Sequence, residues 1–345
     1  MRGGNPFGPR LAAFAARLAR RRLDLALVLG RADVRSLTGV DCDSACLLVG
    51  PGGEAVFHTD FRYLPMVRRV APWLKAKDIR RLSFRGRRIG YESSIQVSQL
   101  MKLRKLSPRS EFVDVAEDIS ALRAVKTADE IARVRAAAAL NDAIWQAASR
   151  RFRAGMTELD MARAIRRMMI DRGDDEAFDT IVCVGRNAAE CHHVPDGTVW
   201  DGREPVLVDM GARLGGYCSD MTRNIVPSRP SRRYAEVYRL VLEANMRAIA
   251  AVRPGISSGE LDAVARGFLG KNGFRKEFGH SLGHGVGLEI HEAPYAARKR
   301  TTVLEPGMIL TVEPGVYIPG ELGVRVEDLV LVTDSGCEVL TRSGK

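Results

Sequence analysis

Four carboxylates in this chain occupy positions that could do cation chemistry. Glu313 and Glu327 adjoin apolar, β-branched runs at residues 308–312 and 329–332, which read as buried strands. Pro319-Gly320-Glu321 between them reads as a turn. The two glutamates are equidistant from Gly320, so they are expected to face each other across a hairpin. Asp209 and Asp220, in similar apolar runs, repeat the arrangement around Leu214-Gly215-Gly216, with their midpoint between Leu214 and Gly215. Like charges opposed on a sheet are destabilising, and burial makes each costlier. A protonated carboxyl or an arginine such as Arg325 would relieve one pair. Two such pairs carry four negative charges, which two divalent cations would balance.

The elements that must position these groups form a weak internal repeat. Residues 153–160 resemble residues 253–262, and each stretch opens a capped amphipathic helix that ends at a glycine, Gly173 or Gly273. Each helix is followed by a histidine-containing loop and a carboxylate hairpin. Gly155 to Gly255 spans 100 residues, His192 to His291 spans 99, Asp209 to Glu313 spans 104 and Asp220 to Glu327 spans 107. Four offsets in the same order imply two related α/β halves whose hairpins meet at one pseudo-symmetry axis.

Five of the six histidines fall between residues 192 and 291; His58 reads as a strand or surface residue. His280 and His284 have the spacing of a helical zinc pair. Glycines at 279, 283, 285 and 287 argue instead for an extended segment whose backbone approaches a ligand closely. The two histidines therefore need not share a role.

Cys191-His192-His193-Val194-Pro195, Val208-Asp209-Met210-Gly211, Ser219-Asp220-Met221-Thr222-Arg223, Gly283-His284-Gly285, His291-Glu292, Val312-Glu313-Pro314-Gly315 and Arg325-Val326-Glu327-Asp328 resemble the ordered motifs of the pita-bread-fold metallopeptidase family. The added N-terminal part is similar to the prolidase and aminopeptidase P branch rather than to one-domain methionine aminopeptidases. The resemblance implies an α/β (α+β) protein. A small creatinase-like domain at 1–122, used for substrate gating or oligomerisation, would precede a pseudo-two-fold pita-bread domain at 123–345. It implies that Asp209, Asp220, His284, Glu313 and Glu327 hold two divalent metals, with Asp220 and Glu327 placed to bridge them. His192 and His291 would meet the substrate and the developing oxyanion. His280 would take a substrate or supporting position, and Tyr317 and Arg325 would line the pocket. The family often has glycine after the first histidine, where this chain has His193, a bulky polar group expected beside the pocket.

Four carboxylates and one imidazole are hard donors that suit manganese, with cobalt or zinc as alternatives. The implied reaction is hydrolysis of the bond before proline, as an Xaa-Pro dipeptidase or Xaa-Pro aminopeptidase, by a metal-bridging hydroxide. His192 or His291 would donate to the oxyanion, and Glu313 would carry the proton to the leaving nitrogen. Two other readings compete: a creatinase-like non-peptidase hydrolase or lyase, and a non-catalytic RNA- or protein-binding relative. The complete ligand set weighs against both.

At 345 residues, with 46% hydrophobic and 28% charged residues, the chain reads as a two-domain globular protein. No apolar run approaches the ~20 residues of a membrane span. The net charge of +11 is uneven, with 22 Lys/Arg against 12 Asp/Glu in residues 1–120 and 31 against 30 after them. No groove-reading motif accompanies that basic excess, so nucleic acid is not the expected partner. A small peptide with proline second and a homodimeric state are expected. Six cysteines without paired spacing read as free thiols in the cytoplasm. The acid-free first 23 residues resemble a transit peptide only faintly and read instead as a first helix over residues 9–22. Strands are expected at 25–29, 45–49, 55–57, 88–91 and 111–113. Helices are expected at 61–70, capped by Asp60, at 97–106, and from Thr127 to about 151.

Overall fold

The computed structural model describes residues 5–345, which form two compact units, one ending at Arg123 and one beginning at Ala124. In chain order the first unit contains α1 (Gly8–Arg20), β1 (Leu25–Val28), α2 (Arg31–Thr38), β2 (Ala45–Val49), β3 (Ala55–Thr59), α3 (Leu64–Val70), β4 (Lys75–Asp78), β5 (Arg88–Tyr91), α4 (Val97–Leu106) and β6 (Glu111–Asp114), and α5 (Ala116–Ala124) closes it. The strands make one sheet in the order β4-β3-β2-β1-β5-β6. Its strands alternate apolar side chains between two cores. Ala26 and Val28 join Phe14, Leu18 and Phe57 on one face, and Leu27 joins Ile89 and Leu103 on the other, as expected of a sheet covered on both sides.

Three local features depart from the sequence reading. The helix expected from residue 61 begins only at Leu64. The Asp60 carboxylate accepts from the Arg62 backbone N–H at 3.0 Å and so holds a turn that delays the helix. Strand β4, Lys-Ala-Lys-Asp, lies at the sheet edge, where charged residues protect the open ladder and hide the strand from a hydrophobicity pattern. Helix α2 has only eight residues and a polar composition.

The second unit repeats one plan twice. Helices α6 (Ala128–Ser149) and α7 (Glu158–Arg172) precede β7 (Asp175–Glu176), β8 (Ile181–Val184), β9 (Val206–Met210), β10 (Ala212–Leu214), β11 (Tyr217–Cys218) and β12 (Met221–Ile225). Helices α8 (Arg232–Ala251) and α9 (Ser258–Lys271) precede β13 (Gly283–Gly285), β14 (Glu292–Ala296), β15 (Ile309–Val312), β16 (Gly315–Ile318), β17 (Leu322–Arg325), β18 (Asp328–Val332) and β19 (Cys337–Val339). Each half has its own hydrophobic core, one built on Ile144, Met161, Ile165 and Val208, the other on Val241, Leu261, Leu310 and Val330.

The likeness of the halves extends to single hydrogen bonds. Thr127 and Glu130 form the capping box that opens α6, and Thr157/Asp160 and Ser257/Glu260 form matching boxes on α7 and α9. The Gly155 N–H donates to the Trp200 carbonyl and the Gly255 N–H to the Leu304 carbonyl, both at 2.9 Å. Buried Asn141 on α6 donates to the Met210 carbonyl at 2.9 Å, and buried Asn245 on α8 to the Val312 carbonyl at 2.8 Å. Each asparagine thus pins the strand position next to a carboxylate, Asp209 or Glu313.

Strand register decides which carboxylates face each other. Val312 pairs with Asp328 and Gly315 with Arg325, so Glu313 falls opposite Glu327 in the short break between two ladders, as the symmetry about Gly320 predicts. The other hairpin is corrected. Leu214 pairs with Tyr217, and Asp209 with Thr222. The turn is Gly215-Gly216, both in the left-handed region at φ 57° and 77°, the two-residue arrangement that matches strand twist. Asp220 therefore lies two residues from Thr222 and diagonal to Asp209. The period of two still keeps both on one face. Gly216→Ala is expected to lower stability by about 1–2 kcal/mol in urea titrations. The same change at Gly197, where no atom lies within 4 Å of an added Cβ, is expected to stay within ~0.5 kcal/mol.

Candidate metal centre

A cavity of about 350 Å³ opens in the second unit and is lined by His192, Asp209, Asp220, His280, His284, His291, Glu313, Arg325 and Glu327, together with Cys191, Phe178, Asp179, Ile181, Ser281, Ile290 and Tyr295. The two hairpins and the glycine-rich strand β13 supply the five anticipated metal ligands. The glycines are required by close packing. A Cβ on Gly283 would lie 2.0 Å from the Thr311 carbonyl oxygen, and one on Gly285 would lie 2.2 Å from that of Ala293.

His284 shows most clearly that the residues fit a cation. Its Nδ1 lies 3.1 Å from the Gly285 carbonyl, so Nδ1 holds the proton and donates. The Nε2 lone pair then faces Asp220 Oδ2 at 3.5 Å and Glu313 Oε1 at 3.4 Å. Two carboxylate oxygens thus crowd the lone pair of a neutral ring nitrogen, and a ring N–H on a backbone carbonyl is the usual support for a metal-ligating histidine. Ligand atoms of Asp220, His284 and Glu327 all lie within 4.8 Å of one another. Buried Asp209 Oδ1 and Asp220 Oδ1 have no hydrogen-bond partner, which is costly unless a cation satisfies them.

The electrostatics agree. Burial first, then the charges of Glu327, Asp209 and Glu313, push the Asp220 carboxyl well above its ordinary range. Burial, then Glu313 and Asp209, does the same to Glu327. Glu313 is pushed up to about 8 by burial, with Arg325 opposing. Burial and then His291 push His284 down to about 4, so protonation of that imidazole does not relieve the carboxylates. Carboxylates and a neutral imidazole are a donor set that fits divalent ions.

Hydroxyls and one guanidinium hold the carboxylates from behind. Thr222 Oγ1 donates to Glu327 Oε2 at 2.7 Å and accepts from Arg325 Nε at 2.9 Å. Thr311 Oγ1 donates to Glu313 Oε1 at 3.1 Å and accepts the His284 N–H at 3.0 Å. Arg325 Nη2 reaches Asp209 Oδ2 at 2.7 Å, and its Nη1 donates to the Tyr317 hydroxyl at 2.7 Å. Tyr317 in turn meets His280 Nε2 at 3.0 Å. Tyr317 is therefore placed behind the cavity wall, where it ties Arg325 to His280, rather than along the lining. Thr222 and Thr311 escaped the sequence reading because nothing distinguishes them from other strand threonines.

His291 packs edge-on against His284 at a centroid distance of 4.3 Å. Burial, then His192, lowers its pKa. His193 turns away from the cavity, contrary to expectation, and its Nε2 lies 2.7 Å from Glu158 Oε2. Glu158, His193 and Asp196 form a second acidic and histidine cluster. Each Glu158 oxygen already accepts two hydrogen bonds, so its lone pairs are spent on the protein.

A duplicated helix-and-sheet plan closing on four carboxylates and one imidazole has the donor set of a metal-dependent hydrolase. Residues 132–334 match the model of metallopeptidase family M24, and residues 10–125 match that of the creatinase/prolidase N-terminal domain. The chain belongs to metallopeptidase family M24, and membership implies divalent metal ions. An Xaa-Pro dipeptidase of Pyrococcus furiosus is 36% identical over 305 residues, 88% of this chain and 86% of the relative. The solved structure of an Xaa-Pro dipeptidase from Bacillus anthracis superposes with a TM-score of 0.92 at 32% identity, covering 98% of each chain. That of an X-Pro aminopeptidase from Thermotoga maritima does so with 0.86 at 28% identity, covering 95% of this chain and 98% of its own.

The raised carboxyls have a sign that can be tested. A carboxyl raised from 4.5 in the unfolded chain to about 8 in the folded one costs stability as pH rises through that interval. His284, depressed from 6.5 to about 4, acts only below 6.5. Between pH 6.5 and 8 the stripped protein should therefore lose stability through the carboxylates, and His193, whose pKa is raised against burial by Glu158, acts in the same direction. Addition of a divalent metal should raise the melting temperature more at pH 8 than at pH 6.5. Differential scanning fluorimetry with and without metal checks this.

Proposed function

We propose that the chain is an Xaa-Pro peptidase, cleaving the bond before proline in small peptides, with Asp209, Asp220, His284, Glu313 and Glu327 holding two divalent ions. The observation that carries this reading is the His284 Nε2 lone pair aimed at two carboxylates beside the unpartnered Asp209 and Asp220 oxygens. The full-length likeness to Xaa-Pro dipeptidases supports the substrate class. Hard oxygen donors support manganese over cobalt or zinc.

The bound ions would supply positive charge that polarises the scissile carbonyl and acidifies a water. The protein's own groups do the rest. Glu313 Oε1 is occupied by Thr311, so its other oxygen, Oε2, takes the proton from water and hands it to the proline nitrogen as the bond breaks. His192 and His291 line the same cavity and donate N–H groups to the developing oxyanion. Arg325 holds Asp209 in place through an ion pair. A proline leaving group makes the scissile bond a tertiary amide, and a cavity of about 350 Å³ is of the size that encloses a small ligand.

In the same reading the first unit gates substrate or joins two copies in a homodimer, and the enzyme works in the cytoplasm. The free state of all six cysteines supports a reducing compartment. No helix among the described residues is long and apolar enough to cross a membrane.

Stripped protein reloaded with manganese, cobalt or zinc is expected to hydrolyse Ala-Pro or Ala-Pro-Ala, with the preferred peptide deciding between dipeptidase and aminopeptidase. No cleavage of either with any metal would refute the proposal. Glu313→Gln is expected to retain the fold by circular dichroism and to lose roughly 10²–10⁴-fold in kcat. Near-normal turnover would remove Glu313 from proton transfer.

A further inference from the structure

Glu158 is the first residue of α7, is fully buried, and has no part in the chemistry above. Its Oε1 accepts from the Val184 N–H at 2.6 Å and Asn187 Nδ2 at 2.9 Å. Its Oε2 accepts from His193 Nε2 at 2.7 Å and the Asp196 N–H at 3.1 Å. Three of these four donors belong to the loop between β8 and β9, and the fourth ends β8. That loop carries Cys191 and His192 to the cavity. Asn187 also reaches Thr198 Oγ1 at 3.1 Å, and the His193 N–H closes a turn on the Glu190 carbonyl at 3.1 Å.

The pseudo-symmetry sharpens the point. The position equivalent to Glu158 in the second half is Ser258, whose buried hydroxyl has no hydrogen-bond partner. A buried carboxylate at the start of this helix is therefore not a demand of the repeated plan, although the helix N-terminus favours its charge. Both halves bring a histidine to the cavity, His192 and His291, but only the loop that carries His192 is tied to a buried carboxylate. His193 is the donor adjacent to that histidine. A glycine there would leave one lone pair of Glu158 unfilled inside the protein, a costly state for a buried acceptor.

We infer that Glu158 and His193 are positioning residues for His192: their hydrogen bond fixes the turn that presents the His192 ring to the substrate. The inference rests on the substrate-contacting role of His192 proposed above. It explains His193 as a structural partner of a buried carboxylate rather than a specificity element in the pocket.

The test uses the full chain loaded with manganese. His193→Ala leaves Glu158 three donors, so the fold should persist. It is expected to lower kcat on the preferred peptide by roughly 10-fold, within the range that small misplacements of a reacting group cost. His193→Gln, which offers an amide donor in place of the ring N–H, should recover most of that loss. In a His192→Ala background, His193→Ala should have no further effect, because the group it positions is gone. Hydrogen exchange supplies a readout independent of activity. Amides of residues 187–198 should exchange roughly 10-fold faster in His193→Ala, with α7 and both hairpins unchanged. An equal loss in both backgrounds, no loss in either, or unchanged exchange in that loop would overturn the inference. If the wild type cleaves neither peptide, the proposed function fails, and loop exchange still decides whether His193 holds the turn.

Discussion

The second unit is arranged around one electrostatic difficulty, four carboxylates brought face to face in a buried cavity. Removing such groups from water is expensive, and placing them together is more so. The protein answers with a limited supply of internal positive charge and hydroxyl donors. Arg325 neutralises Asp209, Thr222 supports Glu327 and Thr311 supports Glu313. Asp209 Oδ1 and Asp220 Oδ1 are left without a hydrogen-bond partner, and the His284 Nε2 lone pair faces Asp220 and Glu313. Divalent cations would satisfy such a site, and their binding would then couple to the stability of the whole unit.

Duplication makes the difficulty solvable. Each half can present only one hairpin of two carboxylates, and neither half alone has enough donors for a pair of ions. The matching capping boxes, the matching bonds at Gly155 and Gly255, and the paired asparagines Asn141 and Asn245 give both hairpins the same support. The symmetry is then broken where chemistry requires it. β13 adds His284 on one side only, and Glu158 replaces a serine on the other. Arg325 joins the two sides by reaching from β17 in the second half to Asp209 in the first and, through Tyr317, to His280.

Much of this was legible in the sequence, and the reasons are physical. Spacing about Gly320 gave the Glu313–Glu327 opposition because a regular antiparallel ladder preserves register on both sides of a turn. The repeat at about 100 residues revealed the two halves because the same capping and turn chemistry is needed twice. The glycines around His284 excluded a helical zinc pair because a backbone this closely packed has no room for Cβ atoms.

Tertiary structure decided what depends on atoms outside the local window. The register of the first hairpin moved because Gly215 and Gly216 both take left-handed conformations, a choice made by strand twist that midpoint arithmetic does not see. Tyr317 fell behind the wall and His193 turned to Glu158, since the direction of a side chain is set by the partner awaiting it. That partner lies 35 residues away for His193. Thr222 and Thr311 took their places for the same reason. Residue types and their spacing thus determined which groups meet at the site. Only packing in three dimensions determined which of them face the cavity and which hold the others still.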